Sequence, residues 1–239
     1  MKKSQSNSYI LYGKHACLAA LQNNRRQILK IFASNEIFND PLFNKHIAKG
    51  NYKILPKPEI DKLFPIHTAH QGVALQVLPI TNRDLTSALN QKRVAILDQI
   101  TDPQNLGAIL RSAAAFGVKN IIVPQDNAAK ENANLAKIAS GALETVGITE
   151  VVNLAQTIKK LKDAGFWIIG LDHNAKTLIQ DYPAPEKLAI VLGNENSGIR
   201  PLVKKQCDLL VKIPMQPTTL LDSLNVSTAA AIAFYEMFK

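Results

Sequence analysis

From residue 93 onward the chain repeats one arrangement: a short, uniformly apolar run followed by a stretch with apolar positions at helical spacing. The runs are VAILD (94–98), NIIVP (120–124), WIIGLD (167–172), LAIVLG (188–193) and LLVKIP (209–214). Strands that are apolar at every position are buried on both faces, which requires a parallel sheet covered by helices. The spacing predicts helices over 103–116, begun by Pro103 and stopped by Gly117, near 132–140, over 154–164, near 199–206 and over 225–238. Residues 92–239 are therefore expected to form one α/β domain with a doubly covered sheet.

The first third reads differently. Residues 12–23 have helical spacing, 28–33 (ILKIFA) and 73–78 (VALQVL) read as strands, and 41–49 and 57–63 read as helices begun by Pro41 and Pro58. This predicts a smaller α/β domain over 9–80, after a disordered polar tail at 1–8 and before a linker at 81–91. Charge divides at the same place. The chain carries 28 Lys+Arg against 19 Asp+Glu, and residues 1–80 hold a net +7 of the total +9. A basic excess confined to one domain points to a polyanionic partner, nucleic acid before a membrane surface.

Apolar residues make up 46% of the chain, which excludes a disordered protein. No run of 18 apolar residues occurs, so no membrane-spanning helix is expected. The N-terminal lysines have no apolar segment behind them, so a secretory signal is not expected. Residues 1–26 lack acids, but they are not Arg-rich as a transit peptide would be. Cys17 and Cys207 lie far apart and match no metal or redox spacing, which fits a reducing compartment and a cytoplasmic protein. The five histidines show no ligand spacing, and no metal is expected.

The glycine signatures of dinucleotide and P-loop sites are absent. Instead, three junctions after apolar strands are loaded with small and polar residues: DQITDPQNLGAILRSA (98–113), LGNENSGIRP (192–201) and IPMQPTTLLDSLNVSTA (213–229). Loops at the C-terminal ends of parallel strands are favoured places for binding and chemistry. These stretches resemble the three motifs of the SpoU/TrmH branch of the SPOUT RNA methyltransferases. The first matches through Asn105, Gly107 and Arg111. The second matches through Gly193, Glu195, Gly198 and Arg200, and the third through Ile213, Pro214, Met215, Ser223, Leu224, Asn225 and Ser227. The first domain, with YGKHACLAAL and a later HQGVAL, is similar to the L30e-like RNA-binding domain that precedes the catalytic domain in many members. The third motif departs from the family in its longer QPTTLLD loop (216–222).

The resemblance implies a catalytic domain with a deep trefoil knot, a homodimer formed through it, and S-adenosylmethionine held by Gly193, Ile213, Met215, Ser223 and Leu224. It also implies methyl transfer to a ribose 2′-hydroxyl, with a guanosine of 23S rRNA as the closest substrate type. Two alternatives are a tRNA substrate and a noncatalytic RNA-binding ribosome-assembly module. The catalytic set it implies is Asn105, Arg111, Glu195 and Asn225. The resemblance also implies a contested base role for the arginine at the position of Arg111, although a guanidinium does not deprotonate in proteins. A clamp on the substrate phosphate that stabilises developing alkoxide suits it better. Each other residue also has a bland role: Asn105, Ser223 and Asn225 as helix caps, Glu195 as a solvated turn acid, Gly193 and Gly198 as turn glycines.

Overall fold

The computed structural model describes residues 8–65, 68–80, 82–182, 185–216 and 223–238. Residues 1–7 of the expected tail and 217–222 of the long third-motif loop lie outside these. The chain separates into two compact units, Met1–Thr81 with Glu131–Thr145, and Asn82–Lys130 with Val146–Lys239.

Unit 1 begins with β1 (Tyr9–Tyr12), α1 (Lys14–Gln22), β2 (Ile28–Ala33), α2 (Asn35–Phe38), α3 (Pro41–Ile47), β3 (Tyr52–Ile54), α4 (Lys57–Asp61) and β4 (Val73–Val77). The sheet runs β1-β4-β2-β3, with β2 and β3 parallel and the other pairs antiparallel. Helix starts are encoded locally: Ser34 accepts a hydrogen bond from the Ile37 N–H, and Asp40 accepts from the Leu42 N–H ahead of Pro41. Neither β1 nor β3 follows from the sequence pattern. In β1 only Leu11 is buried, and all three residues of β3 are exposed, so neither strand shows an apolar alternation.

Unit 2 contributes α5 (Leu85–Leu89), β5 (Arg93–Leu97), α6 (Pro103–Ala115) and β6 (Asn120–Pro124). Next in the chain come α7 (Ala133–Ala139) and α8 (Ala142–Thr145), which belong to unit 1. Then follow β7 (Gly147–Val151), α9 (Leu154–Asp163), β8 (Trp167–Leu171), β9 (Thr177–Leu178), β10 (Leu188–Leu192), α10 (Pro201–Lys204), β11 (Leu209–Lys212) and α11 (Val226–Phe238). The seven strands are parallel throughout, in the order β7-β6-β5-β10-β8-β11-β9. Val94, Ile96, Ile122, Ile168, Ala189 and Val191 form one core cluster with Ile158 and Leu161 of α9.

Two organisational expectations change. Residues 85–89, inside the stretch read as a linker, form α5. Ala88 is buried there, Leu85 and Leu89 pack on the core cluster, and buried Asn120 of β6 donates to Ser87 at 2.9 Å. The segment 131–145 lies between two strands of unit 2 in the chain, yet it folds into unit 1. There it joins a buried charge cluster. Arg26, with no exposed side-chain surface, lies 2.5 Å from carboxylate oxygens of both Glu131 and Glu144. Tyr9 donates to Glu131 at 2.7 Å. Burial and then the Glu131 charge push the Tyr9 hydroxyl above its ordinary pKa, so it remains a donor. The helix expected near 199–206 is shorter, Pro201–Lys204.

Candidate functional site

Strand order decides which loops meet. β5, β10, β8 and β11 are consecutive neighbours in a parallel sheet, so the segments leaving their C-terminal ends emerge side by side. These are the first, second and third motif segments together with the turn after β8.

The second-motif loop is tied down at several points. Asn194 and Gly198 exchange backbone hydrogen bonds at 3.1 and 2.9 Å. The Asn194 side-chain oxygen accepts from the Asn196 N–H at 2.9 Å, and its Nδ2 donates to the Gln99 carbonyl at 3.0 Å. Gly198 has φ +66° with open space where a Cβ would be, so it is there for its backbone conformation, the bland reading. Gly193 is required by a close approach. A Cβ there would lie 2.2 to 2.5 Å from the Gly198–Ile199 backbone, so glycine at this position lets the loop fold back on itself.

Arg200 closes the loop onto β5. Its backbone N–H and Nε donate to the carboxylate of Asp98, at 2.9 and 2.7 Å, and Asp98 has no exposed surface. Sequence reasoning missed Asp98. Its only signal was an acid ending an apolar strand, and its partner lies 102 residues away.

Glu195 is the hub of the motif residues. Its Oε1 accepts from Asn105 Nδ2 at 3.1 Å, from Asn225 Nδ2 at 2.5 Å and from the Val226 N–H at 3.1 Å. Asn225 Nδ2 also reaches Asn105 Oδ1 at 3.0 Å. Asn225 takes the capping role and also joins the Glu195 cluster. Its Oδ1 accepts from the N–H groups of Ser227 and Thr228, capping α11, while its amide nitrogen faces Glu195. Asn105 does not cap α6. Asp102 does, accepting from the Gln104 N–H at 2.9 Å, which leaves the Asn105 side chain to the Glu195 cluster.

Arg111 is not brought to this cluster. It lies six residues after Asn105, about 9 Å further along α6 and about 120° around it. Its side chain is exposed, and no hydrogen bond or ion pair to it occurs among the described residues.

Beside Glu195 a cavity of about 570 Å³ opens at these strand ends, and Gly193, Ile213, Met215, Ser223 and Leu224 all line it. That volume lies in the range of roughly 300–1,000 Å³ typical of small-molecule and cofactor sites. Its walls combine apolar Ile213, Met215 and Leu224 with the polar 193–198 backbone, a donor set suited to an apolar-bodied nucleoside with polar edges. The cavity also takes in Asp172, His173 and Asn174 after β8, which the motif reading passed over. Burial disfavours the charged form of Asp172. Ion pairing with Lys204 and the Asn174 N–H outweigh it, and hold its carboxyl below the usual range. Among the described residues no group of three or more His, Cys, Asp or Glu is placed to hold a metal ion, and no helix is long and apolar enough to cross a membrane.

Residues 92–235 match the profile of the SpoU rRNA Methylase family, and residues 10–82 match that of the RNA 2′-O ribose methyltransferase substrate-binding domain. The chain belongs to the SpoU methylase family, which uses S-adenosylmethionine as methyl donor. A putative TrmH family tRNA/rRNA methyltransferase of Staphylococcus aureus is 37% identical over 96% of this chain and 95% of its own length. An uncharacterized tRNA/rRNA methyltransferase of Synechocystis is 36% identical over the whole chain, which spans 64% of that relative. Among solved structures, the AdoMet-bound rRNA methyltransferase of Sinorhizobium meliloti superposes with a TM-score of 0.80. It is 20% identical, and the match covers 96% of this chain and 86% of that one.

Proposed function

We propose that this chain methylates the ribose 2′-hydroxyl of a guanosine in 23S rRNA, working in the cytoplasm as a homodimer joined through the catalytic domain. The observation that carries the reading is the meeting of Glu195, Asn105 and Asn225 beside a cavity lined by Gly193, Ile213, Met215, Ser223 and Leu224. Bound in that cavity, S-adenosylmethionine supplies a methyl group already activated on sulfur. What remains for the protein is alignment and charge. The Gly193–Ile199 backbone and the side chains of Ile213, Met215 and Leu224 would hold the nucleoside part. Glu195 fixes the amides of Asn105 and Asn225, so the site's polar surface is set before substrate arrives. Arg111 stays protonated, grips the substrate phosphate and stabilises the developing alkoxide. The trefoil knot implied by the family belongs to this reading.

The preference for rRNA rests on the first domain, matched over residues 10–82, and on a neighbour named as an rRNA methyltransferase that aligns with nearly the whole chain. The test is to incubate unmodified total RNA with the protein and labelled S-adenosylmethionine, then map the label. Label on a guanosine 2′-oxygen of 23S rRNA is expected, undiminished by EDTA. Label on tRNA would replace the substrate, and label on a base, or none, would overturn the activity.

A further inference from the structure

Among the described lysines of unit 1, some pair with acids and others, Lys45 among them, do not, while Lys137 lies 5.0 Å from the centre of the Tyr12 ring. Lys14 and Lys57 pair with Glu36 at 3.7 and 2.8 Å, and Lys62 pairs with Glu59 at 2.6 Å. Lys30, Lys49 and Lys53 have no carboxylate within ion-pair distance among the described residues. These three converge on one edge of the sheet. Lys53 is in β3, the terminal strand, and Lys30 is in β2 beside it. Lys49 is in the turn entering β3, where Asn51 accepts from the Ile31 N–H at 2.8 Å.

The same edge carries aromatic rings. The parallel register sets Phe32 against Lys53, so both lie on one face, and Lys30 lies on that face two residues back along β2. The Lys30 ammonium sits 5.5 Å from the centre of the half-buried Phe32 ring. Tyr52, on the opposite face of β3, is 42% exposed, and its ring stacks on Phe38 at 5.3 Å with planes 30° apart.

We propose that the β2–β3 edge of unit 1 is a docking surface for single-stranded RNA. A base would stack on Phe32, on the face that also carries Lys30 and Lys53, and phosphates would be held by Lys30, Lys49 and Lys53. This rests on the RNA-methyltransferase reading and names where that substrate is gripped. Unstacked bases need flat apolar faces, and the linking phosphates need cations that are not already neutralised. Both occur here, while the lysines paired with Glu36 and Glu59 have already met their counter-charge. Lysines on an edge strand also deter strand pairing, but that role needs no aromatic faces beside them.

The test uses the full wild-type chain with a single-stranded rRNA fragment that it methylates. Lysine acetylation is read by mass spectrometry with and without RNA. Lys30, Lys49 and Lys53 should be protected several-fold, and Lys57 and Lys62 should not. In the combined variant Lys30→Ala, Lys49→Ala, Lys53→Ala, the salt dependence of RNA affinity should flatten by about 2 in log–log slope, at about 0.7 per lost contact. KM for RNA should rise, while cofactor affinity and the rate at saturating RNA hold. Phe32→Leu keeps apolar bulk without the flat ring and should weaken RNA binding by roughly tenfold. Protection absent from Lys30, Lys49 and Lys53, or an unchanged slope in the combined variant, would overturn the surface while leaving the activity intact. A wild-type chain that neither binds nor methylates RNA would sink both readings.

Discussion

Arg111 and Glu195 show how differently two motif residues are treated by the fold. Glu195 is held by three N–H donors, whereas Arg111 projects from α6 with no partner among the described residues. An exposed arginine left unpaired costs nothing in stability, and the proposed reading gives it a charge that arrives with substrate. Arg111→Ala should therefore leave the thermal midpoint and cofactor affinity within experimental scatter. Single-turnover transfer at saturating RNA should fall by roughly 10²–10³, the usual loss for one electrostatic stabiliser. Arg111→Lys should recover only part of the rate, because the planar fork is lost. A wild-type rate for the alanine variant would remove Arg111 from the chemistry. Gly193 makes the opposite prediction. A Cβ at that position meets the Gly198–Ile199 backbone at 2.2 to 2.5 Å, and backbone cannot rotate away as a side chain can. Gly193→Ala should cost about 1–3 kcal/mol of stability, typical of overpacking, and weaken cofactor binding because the loop that lines the cavity must open. Calorimetric titration showing native cofactor affinity would contradict that account.

At the scale of elements, legibility followed burial symmetry. β5, β6 and β10 are buried along almost their whole length, so a continuous apolar run announces them. β7 (GITEV) is only partly buried and β3 is fully exposed, so neither carries a signal. The three junction segments stood out for a local reason, since short polar runs follow apolar strands, while the residues singled out within them came from the resemblance to the family. Contacts that join distant residues were not legible. Asp98 with Arg200, and Arg26 with Glu131 and Glu144, are pairings across about 100 residues that only the fold creates. The second of these ties residues 131–145 to Arg26 of unit 1, and it yields a stability test. Arg26→Met leaves two buried carboxylates, with 11% and 3% side-chain exposure, without their counter-charge. Breaking a buried pair in this way costs about 3–5 kcal/mol, so the midpoint of urea unfolding of the full chain should drop sharply. Adding Glu131→Gln and Glu144→Gln removes the stranded charges and should return most of the loss. An unchanged midpoint in Arg26→Met would show that the cluster contributes nothing. A fragment ending at residue 80 lacks both glutamates and should not reproduce the fold of unit 1.

For the whole molecule the separation of Arg111 from the Glu195 cluster bears on assembly. Within one chain Arg111 lies about 9 Å along α6 and about 120° around it from Asn105, the residue that Glu195 holds, yet the proposed reaction needs Arg111 beside the polar surface that Glu195 sets. A homodimer with two-fold symmetry resolves this if each working site takes Arg111 from one chain and Glu195 from the other. Light scattering should then report about twice the 26.2 kDa of a single chain at micromolar concentration. The sharper test is complementation. Arg111→Ala and Glu195→Gln should each be nearly inactive alone. After mixing and exchange of chains, half of the dimers are mixed, and in each of these one composite site carries both changes while the other carries neither. Activity should return to about a quarter of wild type for a two-fold symmetric dimer with freely exchanging chains. If each site is built within one chain, every site in the mixture keeps one lesion and no activity returns. A lack of recovery, with mixed dimers demonstrated by mass spectrometry, would place Arg111 and Glu195 of the same chain in one site. Arg111 would then have to reach the 2′-oxygen by a movement of α6.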